Sequence, residues 1–65
     1  MEIKTKYAVG DMVWVNIEGN NVNLRVKAIS LYTNGRFARV NYEFVWNERA
    51  LYVAEQDVHA TNEMN

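Results

Sequence analysis

A chain of 65 residues has room for one domain and one core, and folding at that size buries only about 60 % of the unfolded surface, so modest stability is expected. It has no cysteine and a single histidine, which argues against a disulfide framework, thiolate metal ligands and a metal-stapled miniprotein. A net charge of −1 predicts neither a polyelectrolyte binder nor an acidic solvating tail. The distribution of charge says more than its sum. Between Gly19 and Tyr42 there is no acid, while Arg25, Lys27, Arg36 and Arg39 all fall there; after that come Glu43, Glu48, Glu55, Asp57 and Glu63 against Arg49 alone. A dipolar molecule is expected.

Residues 1–8 alternate Lys4 and Lys6 with Ile3 and Thr5, as a short edge strand or an ordered lead-in would. They lack the apolar stretch of a signal peptide, and no apolar run approaches the ~20 residues of a membrane span, so a soluble, unprocessed, cytoplasmic chain is expected. Gly10 then supplies a turn in which Asp11 bonds neighbouring backbone. Val13, Val15 and Ile17 follow with period two, so they face a core while Met12, Trp14 and Asn16 face away.

Glu18-Gly19-Asn20-Asn21 closes a hairpin through residues that tolerate positive φ. The second strand runs from Val22 to about Leu31, with Val22, Leu24, Val26 and Ala28 on one face. Ile29 and Leu31 then fall on the other parity, and a strand that changes parity needs a bulge or bend. Thr33-Asn34-Gly35-Arg36 is the strongest turn signal, Asn-Gly being favoured where both central residues take positive φ. A third strand places Ala38, Val40, Tyr42 and Phe44 on one side and Phe37, Arg39, Asn41 and Glu43 on the other. Trp46-Asn47-Glu48-Arg49 is a polar connection to a short fourth strand over 50–54. Glu55-Gln56-Asp57 breaks the pattern as a single helical turn would, and Val58-His59-Ala60 returns as a last strand. The tail 61–65 is too short to sustain a helix and is expected to fray. The whole predicts one all-β domain over 1–65: a small five-stranded barrel of antiparallel meander strands with a short helical turn near the C-terminus. An α+β alternative, with residues 47–57 helical, fits Tyr52 and Val53 poorly.

The segment Tyr7-x-Val9-Gly10-Asp11-x-Val13-Trp14-Val15, followed by a Gly turn and a long hairpin, resembles the opening of SH3-like and Tudor-like barrels. Together with the ending Glu55-x-Asp57-Val58-x-Ala60-Thr61-x-Glu63, the chain resembles short uncharacterised proteins of phages, prophages and bacteria. That likeness implies a small barrel of bacterial or phage origin and no assigned activity. His59 departs from it, standing where an aromatic is expected.

No nucleophile sits beside a base in this pattern: Ser30 and Thr33 read as strand and turn residues, and His59 lacks partners for a metal site. Glu55 and Asp57 read more simply as solvated turn residues than as an acid and base pair. A non-enzymatic protein without cofactor or metal is therefore expected. Two binding surfaces are. Arg25, Lys27, Arg36 and Arg39 around Phe37 form a basic strand face of the kind that meets phosphate and stacks a base. The bland alternative is a solvated face that keeps an edge from aggregating. The aromatics are the second set: Tyr32, Tyr42, Trp46 and Tyr52 suit a cation cage, and Trp14 and Trp46, with Tyr32 and Tyr52, a protein or ligand interface; otherwise Tyr42 and Phe44 are core and Trp46 and Tyr52 cap it. The expected function is a binding or adaptor module for a protein partner or a second copy, with weak nucleic-acid binding as the alternative.

Overall fold

Period-two alternation of β-branched and aromatic residues builds every main element of this chain. The computed structural model describes residues 4–61. Its order is β1 (Met12–Ile17), β2 (Asn20–Arg25), β3 (Ala28–Thr33), β4 (Ala38–Trp46), β5 (Arg49–Ala54), a 3₁₀ turn (Glu55–Asp57) and β6 (Val58–His59). The described residues are all-β, with six strands rather than the five expected. They form two three-stranded antiparallel sheets, β2-β1-β6 and β3-β4-β5, and not a closed barrel. The expected helical turn at residues 55–57 is present, and the helical alternative over 47–57 is not. Residues 4–8 form no strand; residues 1–3 of the expected lead-in, and 62–65 of the expected frayed tail, lie outside the described residues.

The core lies between the sheets. Val13, Val15 and Val58 come from the first, Val40, Tyr42 and Phe44 from the second, and Val26 from the connection between them. Tyr7, Ile17, Leu24, Ile29, Leu51 and Val53 pack around its margin. Full burial of a side chain such as Phe44 contributes about 1.5–3 kcal/mol, so these few residues hold the fold.

The long second strand is in fact two. Val26 still belongs to the first sheet, donating its N–H to Asp11 O at 2.9 Å, whereas Lys27 donates to Glu43 O at 2.8 Å in the second. Ala28 is also aligned with Glu43, so two residues oppose one, the arrangement of a β-bulge. This is the parity slip legible in the sequence. It falls one residue earlier than Ile29, so Ala28 turns to the outer face with Glu43, and Ile29 takes the core face opposite Tyr42.

Two tight hairpins use mirror-image turns. Ile17 pairs with Asn20 around Glu18 (φ 52°) and Gly19 (φ 87°), and Trp46 pairs with Arg49 around Asn47 (φ 50°) and Glu48 (φ 63°). Both central residues are left-handed in each, as the twist of the flanking strands requires. The Asn34-Gly35 turn is different: only Gly35 has positive φ (91°), and the connection spans residues 34–37. A γ-carboxylate side chain gains nothing in the left-handed region, where an ordinary residue costs about 1–2 kcal/mol. Replacing Glu18 with Asn, or Glu48 with Gly, is therefore expected to stabilise the protein by about 0.5–1 kcal/mol each. Urea unfolding checks this; an unchanged or lower midpoint for both variants contradicts it.

Candidate functional site

The β3–β4 hairpin runs past the core. Its register sets Tyr32 opposite Arg39 and Thr33 opposite Ala38, beyond the last buried residue of β4, Val40. The loop at its tip is shaped by one amide: Asn34 Oδ1 accepts from Arg36 N at 2.9 Å and Phe37 N at 3.2 Å. Gly35 N donates to Thr33 Oγ1 at 3.2 Å. That geometry brings Phe37 to Tyr32, with ring centroids 6.2 Å apart. The Arg39 guanidinium carbon lies 5.8 Å from the Phe37 centroid, a cation over a ring face worth about 0.5–1 kcal/mol at an exposed site. Yet Tyr32 is 54 % and Phe37 47 % exposed. The result is a pre-ordered, solvent-facing cluster of two rings and a guanidinium, with Arg36 beside it in the loop.

The other predicted residues do not join this cluster. Arg25 ends β2 opposite Met12, in the other sheet. Lys27 is in the crossing segment, not on a strand, and its Nζ lies 3.5 Å from Glu43. The expectation that Arg25 and Lys27 share a strand face therefore fails, because the chain changes sheet between them. The aromatics are separated too. Trp14 is half-buried on the outer face of the first sheet, between Asn23 and His59. Tyr52 is exposed on β5 opposite Glu43. Trp46, half-buried, lines an open cleft with Ile17, Glu18 and Leu51 that includes none of the other four. Tyr42 is fully buried, so Tyr32, Tyr42, Trp46 and Tyr52 build no cation cage.

The sequence reading missed a polar network behind the core. The Tyr42 hydroxyl donates to Glu55 Oε2 at 2.6 Å and accepts from Tyr7 N at 3.2 Å. Glu55 Oε2 also accepts from Lys6 N at 3.0 Å, and Tyr7 OH donates to Val58 O at 3.3 Å. The Tyr7 ring meets Tyr42 edge-on, 5.6 Å between centroids. The signal was a tyrosine at a core parity position, whose hydroxyl must find partners once buried. Burial, with the adjacent Glu55 carboxylate, pushes the Tyr42 hydroxyl up from 10.0 to about 12. The Lys6 N–H, with the Tyr42 hydroxyl, holds Glu55 below its ordinary 4.5. A depressed carboxylate is the opposite of a general acid poised near neutrality, so Glu55 is an anchor.

Among the described residues no three His, Asp or Glu side chains are grouped to hold a metal, and no helix is long and apolar enough to cross a membrane. No family model matches the chain, and no curated protein or solved structure matches it either.

The network fixes a pH response. Between pH 10 and about 12 the unfolded chain has lost the Tyr42 proton while the folded chain keeps it, so stability falls as pH rises through this window, by roughly 2–3 kcal/mol in all. Glu55 acts at the other end: its contribution is present above pH 4.5 and is lost as pH falls through its lowered folded value. Tyr42→Phe is expected to cost about 1.5–3 kcal/mol at neutral pH and to remove the Tyr42 part of the alkaline loss. Denaturant unfolding of both proteins at pH 8 to 12 measures it; parallel alkaline slopes speak against the network.

Proposed function

We propose that this chain is a non-enzymatic binding module of the SH3-like or Tudor-like kind, of phage or bacterial origin, whose ligand is a protein docked on the tip of the β3–β4 hairpin. One observation carries the reading: Tyr32, Phe37 and Arg39 are held in mutual contact while half of each ring faces solvent. Aromatic rings and arginine are the side chains that dominate protein interfaces, and rings already fixed lose little entropy on binding. An arginine stacked on a ring keeps its N–H edge available for hydrogen bonds, which suits a partner carrying a carboxylate beside an apolar residue.

A second reading, single-stranded nucleic acid stacked on Phe37 with Arg36 and Arg39 on phosphate, is supported by the same exposed ring and cation. The separation of Arg25 and Lys27 from the tip, and the pairing of Lys27 with Glu43, leave it two cations, few for binding governed by counterion release.

The test compares the wild-type chain with Phe37→Ala and Arg39→Ala, both at exposed positions, as immobilised baits in bacterial lysate. A retained protein whose binding weakens about tenfold or more in each variant is expected. Equal retention by all three rejects the hairpin tip. Low-salt titration with single-stranded oligonucleotides decides the second reading: shifts at Arg36, Phe37 and Arg39 that fade with salt favour it, and their absence ends it.

A further inference from the structure

Of the strands that edge the two sheets, β3 is the unprotected one. Ala28-Ile29-Ser30-Leu31-Tyr32-Thr33 contains no charge and no proline, although among the described residues it is hydrogen-bonded only to β4 and edges its sheet. By contrast β2 ends in Arg25 and is rich in asparagine, β5 begins with Arg49, and β6 has two residues. Soluble proteins blunt an exposed edge with charge, proline or brevity, because its free N–H and C=O groups template further pairing. On β3 the side chains also fit pairing: Leu31 is 51 % and Tyr32 54 % exposed.

We propose that β3 is a self-association strand: a second copy of this chain adds its own β3 antiparallel to it, with the two Leu31 residues opposite one another on a two-fold axis. The backbone fixes that register. Asn34 N donates to Phe37 O just beyond the Thr33–Ala38 pair, so Thr33 and Ala38 are a pair that exchanges no bonds. Since hydrogen-bonded and non-bonded pairs alternate, Ile29, Leu31 and Thr33 turn their N–H and C=O groups away from β4, while Ser30 and Tyr32 turn theirs toward it. With Leu31 on the axis, Ile29 meets Thr33 of the second copy and every outward group of these three residues is satisfied. Moving the axis to Ser30 sets Thr33 against Lys27, where β3 has ended. A slip that sets Ser30 opposite Leu31 would pair core-facing with outward residues.

The side chains are self-complementary in the same register. On the core side Leu31 meets Leu31 and Ile29 meets Thr33, which adds an apolar neighbour on the open side of Leu31 to the one it has in Val40 across β4. On the outer side the large Tyr32 ring lies beside the small Ser30. No ionised group of β3 has to be desolvated, because it has none. The two sheets then join into one of six strands, with both hairpin-tip clusters on its outer face. This goes beyond the hairpin-tip reading and stands without it: Phe37→Ala and Arg39→Ala leave the dimer intact.

Sedimentation equilibrium over a concentration series, paired with amide hydrogen exchange on the full chain, tests the proposal. The expected result is a rise from monomer to dimer mass, accompanied by new protection at the amides of Ile29, Leu31 and Thr33. The Ser30 and Tyr32 amides are protected at every concentration, since they bond β4. Leu31→Lys, at a half-exposed position, keeps a dispersed amide spectrum and stays monomeric. A wild-type chain that is monomeric up to its solubility limit overturns the proposal. So does a dimer in which those three amides exchange as fast as in the monomer, or one that a folded Leu31→Lys variant still forms.

Discussion

A phenol hydroxyl inside an apolar core is the constraint on which the rest of this fold depends. Tyr42 lies on β4, the central strand of its sheet, and has no accessible surface. Its hydroxyl would cost about 1–3 kcal/mol if left unpaired there. The partners that satisfy it come from far along the chain: Tyr7, 35 positions before it, and Glu55, 13 after it. Meeting them folds the N-terminal segment and the 3₁₀ turn against the same point of β4. Tyr7 then carries the tie on to Val58, which pairs with Val15 and so brings the last strand to the first sheet. A chain with no disulfide thus draws both described ends to its core through one buried side chain.

With the core centred on the middle of β4, the first two residues of that nine-residue strand are left uncovered. Val40, Tyr42 and Phe44 are buried, whereas every residue from Ser30 to Arg39 is exposed. A core this small cannot clothe both ends of its longest hairpin. Exposure there does not mean looseness, however. The tip is braced by the Asn34 amide and the β3–β4 ladder, so Tyr32 is displayed from a paired strand and Phe37 from a turn that is hydrogen-bonded within itself. Site groups on regular elements hold their geometry better than those on loops. The bend at Val26–Lys27 contributes in another way. It parts Arg25 from Arg36 and Arg39, which turns an acid-free stretch of sequence into two unrelated surfaces.

Much of this was legible because strand parity is a local property. Of Val13, Val15 and Ile17, assigned to the core from alternation, the first two are buried and Ile17 packs at its margin; of Ala38, Val40, Tyr42 and Phe44, placed on one side of their strand, all but Ala38 are buried. The change of parity at Ile29 announced a bulge, which falls one residue earlier, and the break at Glu55-Gln56-Asp57 announced a helical turn. Asn34-Gly35 marked a turn correctly but not its kind, since Asn34 uses its side chain as an acceptor instead of taking positive φ. The site was legible in part. Phe37 and Arg39 were paired from sequence, but Tyr32 was grouped with aromatics that lie on other surfaces, and Leu31 at the edge was not singled out.

What the sequence determined by itself was the all-β class, the inward residues of β1 and β4 and the positions of the turns, because each follows from residues within a few positions of one another. Which strands share a sheet was decided only in three dimensions. A bulge at Lys27–Ala28 sends β3 to a different sheet from β2, and alternation alone does not distinguish a strand that bends within one sheet from a strand that leaves it. The partners of Tyr42, the isolation of Lys27 beside Glu43 and the open edge of β3 are likewise consequences of that choice. Each depends on which backbone lies alongside, a relation between segments distant in the chain that no local pattern carries.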